Sequence, residues 1–233
     1  MKGLIFYNAG ITNATGYAAK FLKASGITFT NQAANATHIM VDTPCKENTI
    51  PEDLPAGTTV IGGNLPQMLH PAIDLLQDPL YLTENANITA HCAVRLALEQ
   101  LPVILSGCQV LVVGWGRIGK CLARLLQQMG AIVCVAARKD SDRALLTALG
   151  YNAKDIFNIP YQDIRIVFNT VPEPILKAED FSSDCLKLEL ASTPGIIGEN
   201  VTDGRRLPGR YAPESSGALI ARSVLRLLPE VIT

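Results

Sequence analysis

The clearest chemical signal in the chain is Val110-Leu-Val-Val-Gly-Trp-Gly-Arg-Ile-Gly119. Apolar, mostly β-branched positions run straight into Gly114-x-Gly116-x-x-Gly119. A helix-like stretch follows over Lys120–Met129, then a second apolar run over Ile132–Ala136. A strand, a tight turn, a helix and a strand in this order make a dinucleotide-binding unit. Gly114 permits the turn, Gly116 lets the backbone approach a pyrophosphate, and Gly119 lets the helix pack closely on the strand. Backbone N–H groups at the helix start, with Arg117 and Ile118 in its first turn, then face the phosphates, and Trp115 covers the turn. A glycine fingerprint alone is weak evidence; the flanking strands and helix supply the context it needs.

The end of the second strand selects the nucleotide. An acidic residue there accepts hydrogen bonds from a ribose 2′-hydroxyl and favours NAD. Here the strand ends in Ala136-Ala137-Arg138-Lys139. A guanidinium grips a 2′-phosphate bidentately and stacks on adenine, so Arg138, with Lys139 beside it, points to NADP. Asn169-Thr170-Val171-Pro172 follows another apolar run, at the carboxyl edge of the sheet where a cofactor's ribose or nicotinamide is met.

The elements that must position these residues read as two domains. Lys2–Tyr7 has the pattern of a buried strand and Ala14–Ala24 that of a helix. Short strands are expected at Thr28–Thr30, His38–Val41 and Thr58–Ile61, a helix at Leu65–Leu76, and a strand at Leu80–Glu84. A bridge helix over Asn87–Leu101 leads to the glycine unit, followed by a helix at Arg143–Leu149 and strands at Ile164–Asn169 and Leu186–Leu190. The repeating order implies an α/β fold: a Rossmann doubly wound parallel sheet (residues 85–216) preceded by a smaller α/β domain (residues 1–84). The apolar C-terminal helix, residues 217–233, is expected to pack back on the smaller domain.

Composition excludes several classes. With 20 Lys and Arg against 21 Asp and Glu, and no basic run, the electrostatic footprint of a nucleic-acid binder is missing. No apolar run approaches the roughly 20 residues that cross a bilayer, and no signal-peptide cleavage region follows Met1–Tyr7, so the expectation is a cytoplasmic protein without membrane contact. The 6 cysteines form no C-x-x-C pair and sit in apolar segments, as small hydrophobes do, so no metal site is expected. Apolar helices at Val94–Leu101 and Leu219–Leu228 allow a symmetric homodimer.

Several separated motifs occur in a fixed order: Glu84-Asn85-Ala86 with Thr89, the glycine fingerprint, Ala137-Arg138-Lys139, Asn169-Thr170-Val171-Pro172, Leu190-Ala191-Ser192-x-Pro194-Gly195, Leu207-Pro208-Gly209, and Ala212-Pro213-x-x-x-Gly217. Together they resemble the dipicolinate synthase A family over roughly Tyr81 to Leu228. The resemblance implies an NADP-binding Rossmann domain beside an N-terminal flavodoxin-like domain, as in the D-2-hydroxyacid dehydrogenases. It also implies a cytosolic protein of spore-forming bacteria that oxidises dihydrodipicolinate to dipicolinate and whose partner is a flavoprotein-like second subunit, dipicolinate synthase B.

Aromatising a small dicarboxylate substrate of this kind needs a hydride acceptor, a proton acceptor and donors for two carboxylates. His91, on the bridge helix, is the candidate base because its unperturbed pKa lies near neutrality. Asn85, Thr89 and Ser192, with N–H groups near Gly195, Gly209 and Ser215–Gly217, are candidate carboxylate holders. Arg95, one turn beyond His91, reads as a solvated or bridging cation, and His38 and His70 as structural. Where the family has Pro-Thr-x-Glu-Gly, this chain has Ile88-Thr89-Ala90-His91-Cys92. The same cofactor half would also serve a non-catalytic regulatory subunit, or a dehydrogenase for another small carboxylate.

Overall fold

A computed structural model of the chain describes residues 3–46, 49–67, 70–159 and 161–228. Contacts divide the chain into two units, residues 1–88 with 208–233, and residues 89–207. The chain runs β1 (Ile5–Asn8), α1 (Asn13–Ala24), β2 (Thr28–Phe29), β3 (His38–Met40), β4 (Thr59–Gly62), β5 (Ala72–Asp74) and α2 (Pro79–Gln100). It continues through β6 (Gln109–Val113), α3 (Arg117–Gln128), β7 (Ile132–Ala137), α4 (Asp140–Ala148), β8 (Asn152–Asp155), β9 (Ile166–Asn169) and β10 (Leu176–Lys177). The last elements are β11 (Leu186–Glu189), β12 (Ile196–Ile197), β13 (Val201–Asp203), α5 (Leu207–Tyr211) and α6 (Pro213–Leu227).

In the first unit the parallel order is β2-β1-β3-β4-β5, the flavodoxin-like arrangement. Phe6, Leu22, Met40, Ile61 and Leu75 share a core with Leu219, Ile220 and Val224 of α6. A Cβ on Gly217 would lie 2.4 Å from Tyr17 Cβ and 2.7 Å from the Ala14 carbonyl, so glycine is what lets α6 approach α1 this closely. The loop after β1 is pinned by Asp42, whose carboxylate accepts from the N–H groups of Ile11 and Thr12 and from the hydroxyls of Thr12 and Thr15. Burial pushes this carboxyl up, but those hydrogen bonds outweigh it and hold it below the usual carboxylate range.

The larger sheet, in the second unit, has the order β13-β11-β9-β6-β7-β8. Read from β8, this is the 3-2-1-4-5-6 order of the Rossmann fold, with its switch point between β6 and β9. β6 and β9 pair in parallel from Val110↔Ile166 to Val113↔Asn169. Their buried residues form continuous apolar runs because helices cover both faces of a parallel sheet. The architecture is thus the expected one, a Rossmann unit preceded by a smaller flavodoxin-like unit.

Two local expectations are corrected. The helix expected at Leu65–Leu76 is not formed: Met68 and Leu69 lie outside the described residues, and Ala72–Asp74 is the edge strand β5. Pro66 and Pro71 interrupt helical hydrogen bonding. The Asp74 carboxylate instead accepts from the N–H groups of Asn64, Leu65 and Leu76. The strand expected at Leu80–Glu84 is the first part of α2. Pro79 suits the first helical position, and Asp78 accepts from the Tyr81 N–H at 2.9 Å. Lys2 and residues 229–233 also lie outside the described residues. No helix among those described is long and apolar enough to cross a membrane.

Candidate functional site

β6 delivers the chain into the glycine turn at the switch point. Gly114 has φ +103°, a region that favours glycine, and a Cβ there would stand 2.4 Å from Thr170 Oγ1. A Cβ on Gly119 would lie only 2.2 Å from the Gly114 carbonyl oxygen, so α3 starts in direct contact with the turn. Gly116 differs from both: its φ is −79° and a Cβ there would meet nothing within 4 Å. That open side is where a pyrophosphate would approach. Gly116 is also the N-cap of α3, which has no side-chain cap and no acidic residue in its first turn. Its leading N–H groups and positive dipole end are therefore available to an anion.

The loop after β9 closes against this turn. The Thr170 N–H and Oγ1 both donate to the Val113 carbonyl, at 2.9 and 2.8 Å. Asn169 is fully buried; its Nδ2 donates to the Val171 carbonyl (2.9 Å) and its Oδ1 accepts from the Val171 N–H (3.1 Å). Nδ2 also donates to Glu189, at 2.9 and 3.0 Å. Asn169, expected to touch the cofactor, therefore acts by holding Val171 and Pro172 in place.

Glu189, at the end of β11, was not singled out from the sequence. It is 3% exposed, and besides Asn169 its carboxylate accepts from the N–H groups of Ala191 (2.9 Å), Gly195 (2.7 Å) and Ile196 (3.0 Å). One buried carboxylate thus ties the loop after β9 to the loop after β11. A Cβ on Gly195 would fall 2.4 Å from Asn169 Nδ2 and 2.5 Å from the Val171 carbonyl. Both loops therefore converge where only glycine fits.

A cleft of ≈ 280 Å³ opens beside the turn, and its lining includes Trp115, Gly116, Arg138, Lys139, Val171 and Pro172. Residues expected to hold a dinucleotide from three separate stretches thus line one cavity. Trp115 stacks edge-on against Tyr151 at 5.7 Å, and its buried Nε1 has no hydrogen-bond partner. Packing on Tyr151 and the Lys120 ammonium 5.8 Å over its ring hold Trp115 as a cover on the turn. Arg138 and Lys139 are exposed at the end of β7. Arg143 braces the backbone beneath them: its Nη1 donates to the Ala137 (2.8 Å) and Arg138 (2.7 Å) carbonyls, and its guanidinium pairs with Asp140 and Asp155.

The same cleft holds groups that sequence reasoning missed. Phe157, 75% exposed, offers an aromatic face. Asp142 and Glu173 bring carboxylates, and Glu173 Oε1 lies 3.9 Å from Arg138 Nη1. Their signal was only their nearness in sequence to Arg138 and Pro172.

The residues proposed for substrate are not gathered in this cleft. Asn85 and Thr89 stand one turn apart on α2, Thr89 buried, and Ser192 is exposed in the loop after β11. His91 is exposed on α2 and lines a shallow groove with Val94, Leu98, Leu125 and Met129. Leu125 and Met129 mark the end of α3 opposite its glycine start, about 12 Å or more away at 1.5 Å per residue. His91 therefore does not line the cleft beside the glycine turn. Helical periodicity put His91 on a helix, but it could not say which end of α3 that face meets. Five cysteines offer no replacement: burial pushes the Cys185 thiol up to about 11 and the thiols of Cys92, Cys108, Cys121 and Cys134 up as well.

Comparison with known proteins supports the fold. No family model matches the chain. The dipicolinate synthase A protein of Bacillus subtilis (strain 168) is 32% identical over 160 residues, 63% of this chain and 54% of that protein. The chain resembles dipicolinate synthase A. In that alignment it spans about half the length of the curated relative. The crystal structure of the dipicolinate synthase A chain from Bacillus subtilis superposes with a TM-score of 0.79 at 21% identity, covering 100% of this chain and 98% of that one. The dipicolinate synthase A structure from Bacillus halodurans gives 0.82 at 20% identity, covering 97% and 98%. These structures share the fold described above, a Rossmann unit and a flavodoxin-like unit.

Proposed function

We propose that the chain is an NADP-dependent oxidoreductase that oxidises dihydrodipicolinate to dipicolinate, in the cytoplasm of a spore-forming cell and alongside the flavoprotein-like dipicolinate synthase B. The observation that carries the cofactor is Arg138, exposed at the end of β7 and lining one cleft with Trp115 and Gly116. The substrate rests on the similarity to dipicolinate synthase A. When bound, NADP supplies the hydride acceptor at nicotinamide C4. The chain's own residues bind and orient: the start of α3 takes the pyrophosphate, Arg138 and Lys139 take the 2′-phosphate, and Val171 and Pro172, held by Asn169 and Glu189, shape the opposite wall. Asn85, Thr89 and Ser192 are the proposed holders of the substrate carboxylates. The substrate loses a hydride to the nicotinamide and a proton to a base, for which His91 is the proposed acceptor, and aromatisation makes the step downhill.

A second function is favoured by one observation. His91 lies in a groove that the turn does not share, which suits a cofactor-binding subunit whose proton acceptor comes from its partner. Incubating the protein with NADP and freshly made dihydrodipicolinate, with and without dipicolinate synthase B, separates the two. Oxidation by the chain alone is expected to raise NADPH absorbance without the partner; a rise only when the partner is added assigns the regulatory role, and no rise in either case contradicts the substrate.

A further inference from the structure

Arg138 faces a carboxylate across the cleft. Glu173 Oε1 is 3.9 Å from Arg138 Nη1, with the side chains 61% and 65% exposed respectively, and Asp142 of α4 lines the cleft beside them. The two cations expected to hold a 2′-phosphate therefore face two anions. Glu173 cannot retreat with its backbone. It lies between Pro172 and Pro174, its carbonyl accepts from the Ile175 N–H at 2.9 Å, and that carbonyl sits 2.6 Å from where a Cβ on Gly195 would stand. Only its side chain can swing, from a backbone held at the cleft.

We propose that Glu173 is a specificity-determining residue, a counter-charge on a tethered backbone that lowers the cleft's preference for NADP over NAD. This rests on Arg138 holding the 2′-phosphate. A phosphate monoester carries a charge of about −1.5 to −2 at neutral pH, so seating it on Arg138 means breaking the Arg138–Glu173 pair and placing the phosphate near a carboxylate. A 2′-hydroxyl carries no charge and meets no such repulsion; a carboxylate can even accept its hydrogen bond. NADP is penalised and NAD is not. Because the Arg138–Glu173 pair is exposed, it adds little to folding, and neutralising Glu173 leaves the protein intact.

The test measures NADP and NAD affinities by titration calorimetry at low salt for the wild type, Glu173→Gln and Arg138→Asp. Glu173→Gln is expected to tighten NADP about 3–10-fold while NAD changes by less than about two-fold, a Coulombic effect that shrinks as salt screens it. An unchanged or weaker NADP affinity in Glu173→Gln, or an equal gain for NAD, overturns the proposal. Arg138→Asp tests the underlying assignment separately. If it leaves the NADP-to-NAD ratio unaltered, Arg138 does not hold the phosphate, whatever Glu173→Gln does. A ratio lost in Arg138→Asp but unmoved in Glu173→Gln keeps the phosphate site and removes Glu173 from it. Melting temperature should match the wild type in Glu173→Gln, which separates a charge effect from a folding defect.

Discussion

Replacing Glu189 by alanine is expected to destabilise the second unit by about 3–5 kcal/mol, because one buried carboxylate satisfies several donors that would be left without acceptors. The donors are Asn169 Nδ2 and the N–H groups of Ala191, Gly195 and Ile196. All lie where water cannot readily replace the lost oxygen atoms, with Asn169 0% and Ala191 4% exposed. Glutamine is a poor substitute, since its NH₂ group would point at donors. Urea unfolding checks this: the midpoint should fall at unchanged slope. A loss below about 1 kcal/mol, the worth of one ordinary hydrogen bond, would mean the loops after β9 and β11 hold themselves. The functional consequence is that Val171 and Pro172 lose their support, so nucleotide affinity should fall even where the variant remains folded.

The second large effect belongs to the glycine turn. Gly119→Ala places a Cβ 2.2 Å from the Gly114 carbonyl oxygen, a backbone atom that no rotamer change can move. The start of α3 must shift, at a cost of about 1–3 kcal/mol in stability. The N–H groups aimed at the pyrophosphate shift with it, and nucleotide affinity should fall about 100-fold, or roughly 2.8 kcal/mol. Gly116→Ala is the contrast. Its Cβ would meet nothing within 4 Å and its φ suits alanine, so stability should hold while affinity falls. Thermal melts and nucleotide titrations on both variants check the pair of outcomes. Equal loss of stability in both would show that the open side at Gly116 is not the ligand's side.

These residues also show what a sequence can disclose about a site. The turn was legible because strand, glycines and helix are contiguous, and each glycine answers a local requirement. Arg138 was legible because its place at a strand end follows from counting. Glu189 was not: its partners come from two loops that only the sheet order brings together, and nothing local marks a glutamate in Leu186–Glu189 as buried. Glu173 was hidden in the same way, since its relation to Arg138 exists only across the cleft. His91 was legible as a helical residue but not as to what its helix face meets. Leu65–Leu76 misled because leucine spacing imitates a helix, while Pro66, Pro71 and the capping carboxylate of Asp74 decide for an edge strand.

NADP binding in the cleft beside Gly116 underlies every functional step proposed for the chain, and the chain carries its own reporter there. Trp115 is the sole tryptophan in the sequence, it lines the cleft, and selectively excited tryptophan fluorescence therefore reads that turn. Titrating the wild-type protein with NADP should change Trp115 emission and saturate at lower concentration than with NAD. Emission that is unmoved by either nucleotide, or that saturates first with NAD, would contradict NADP binding at this turn.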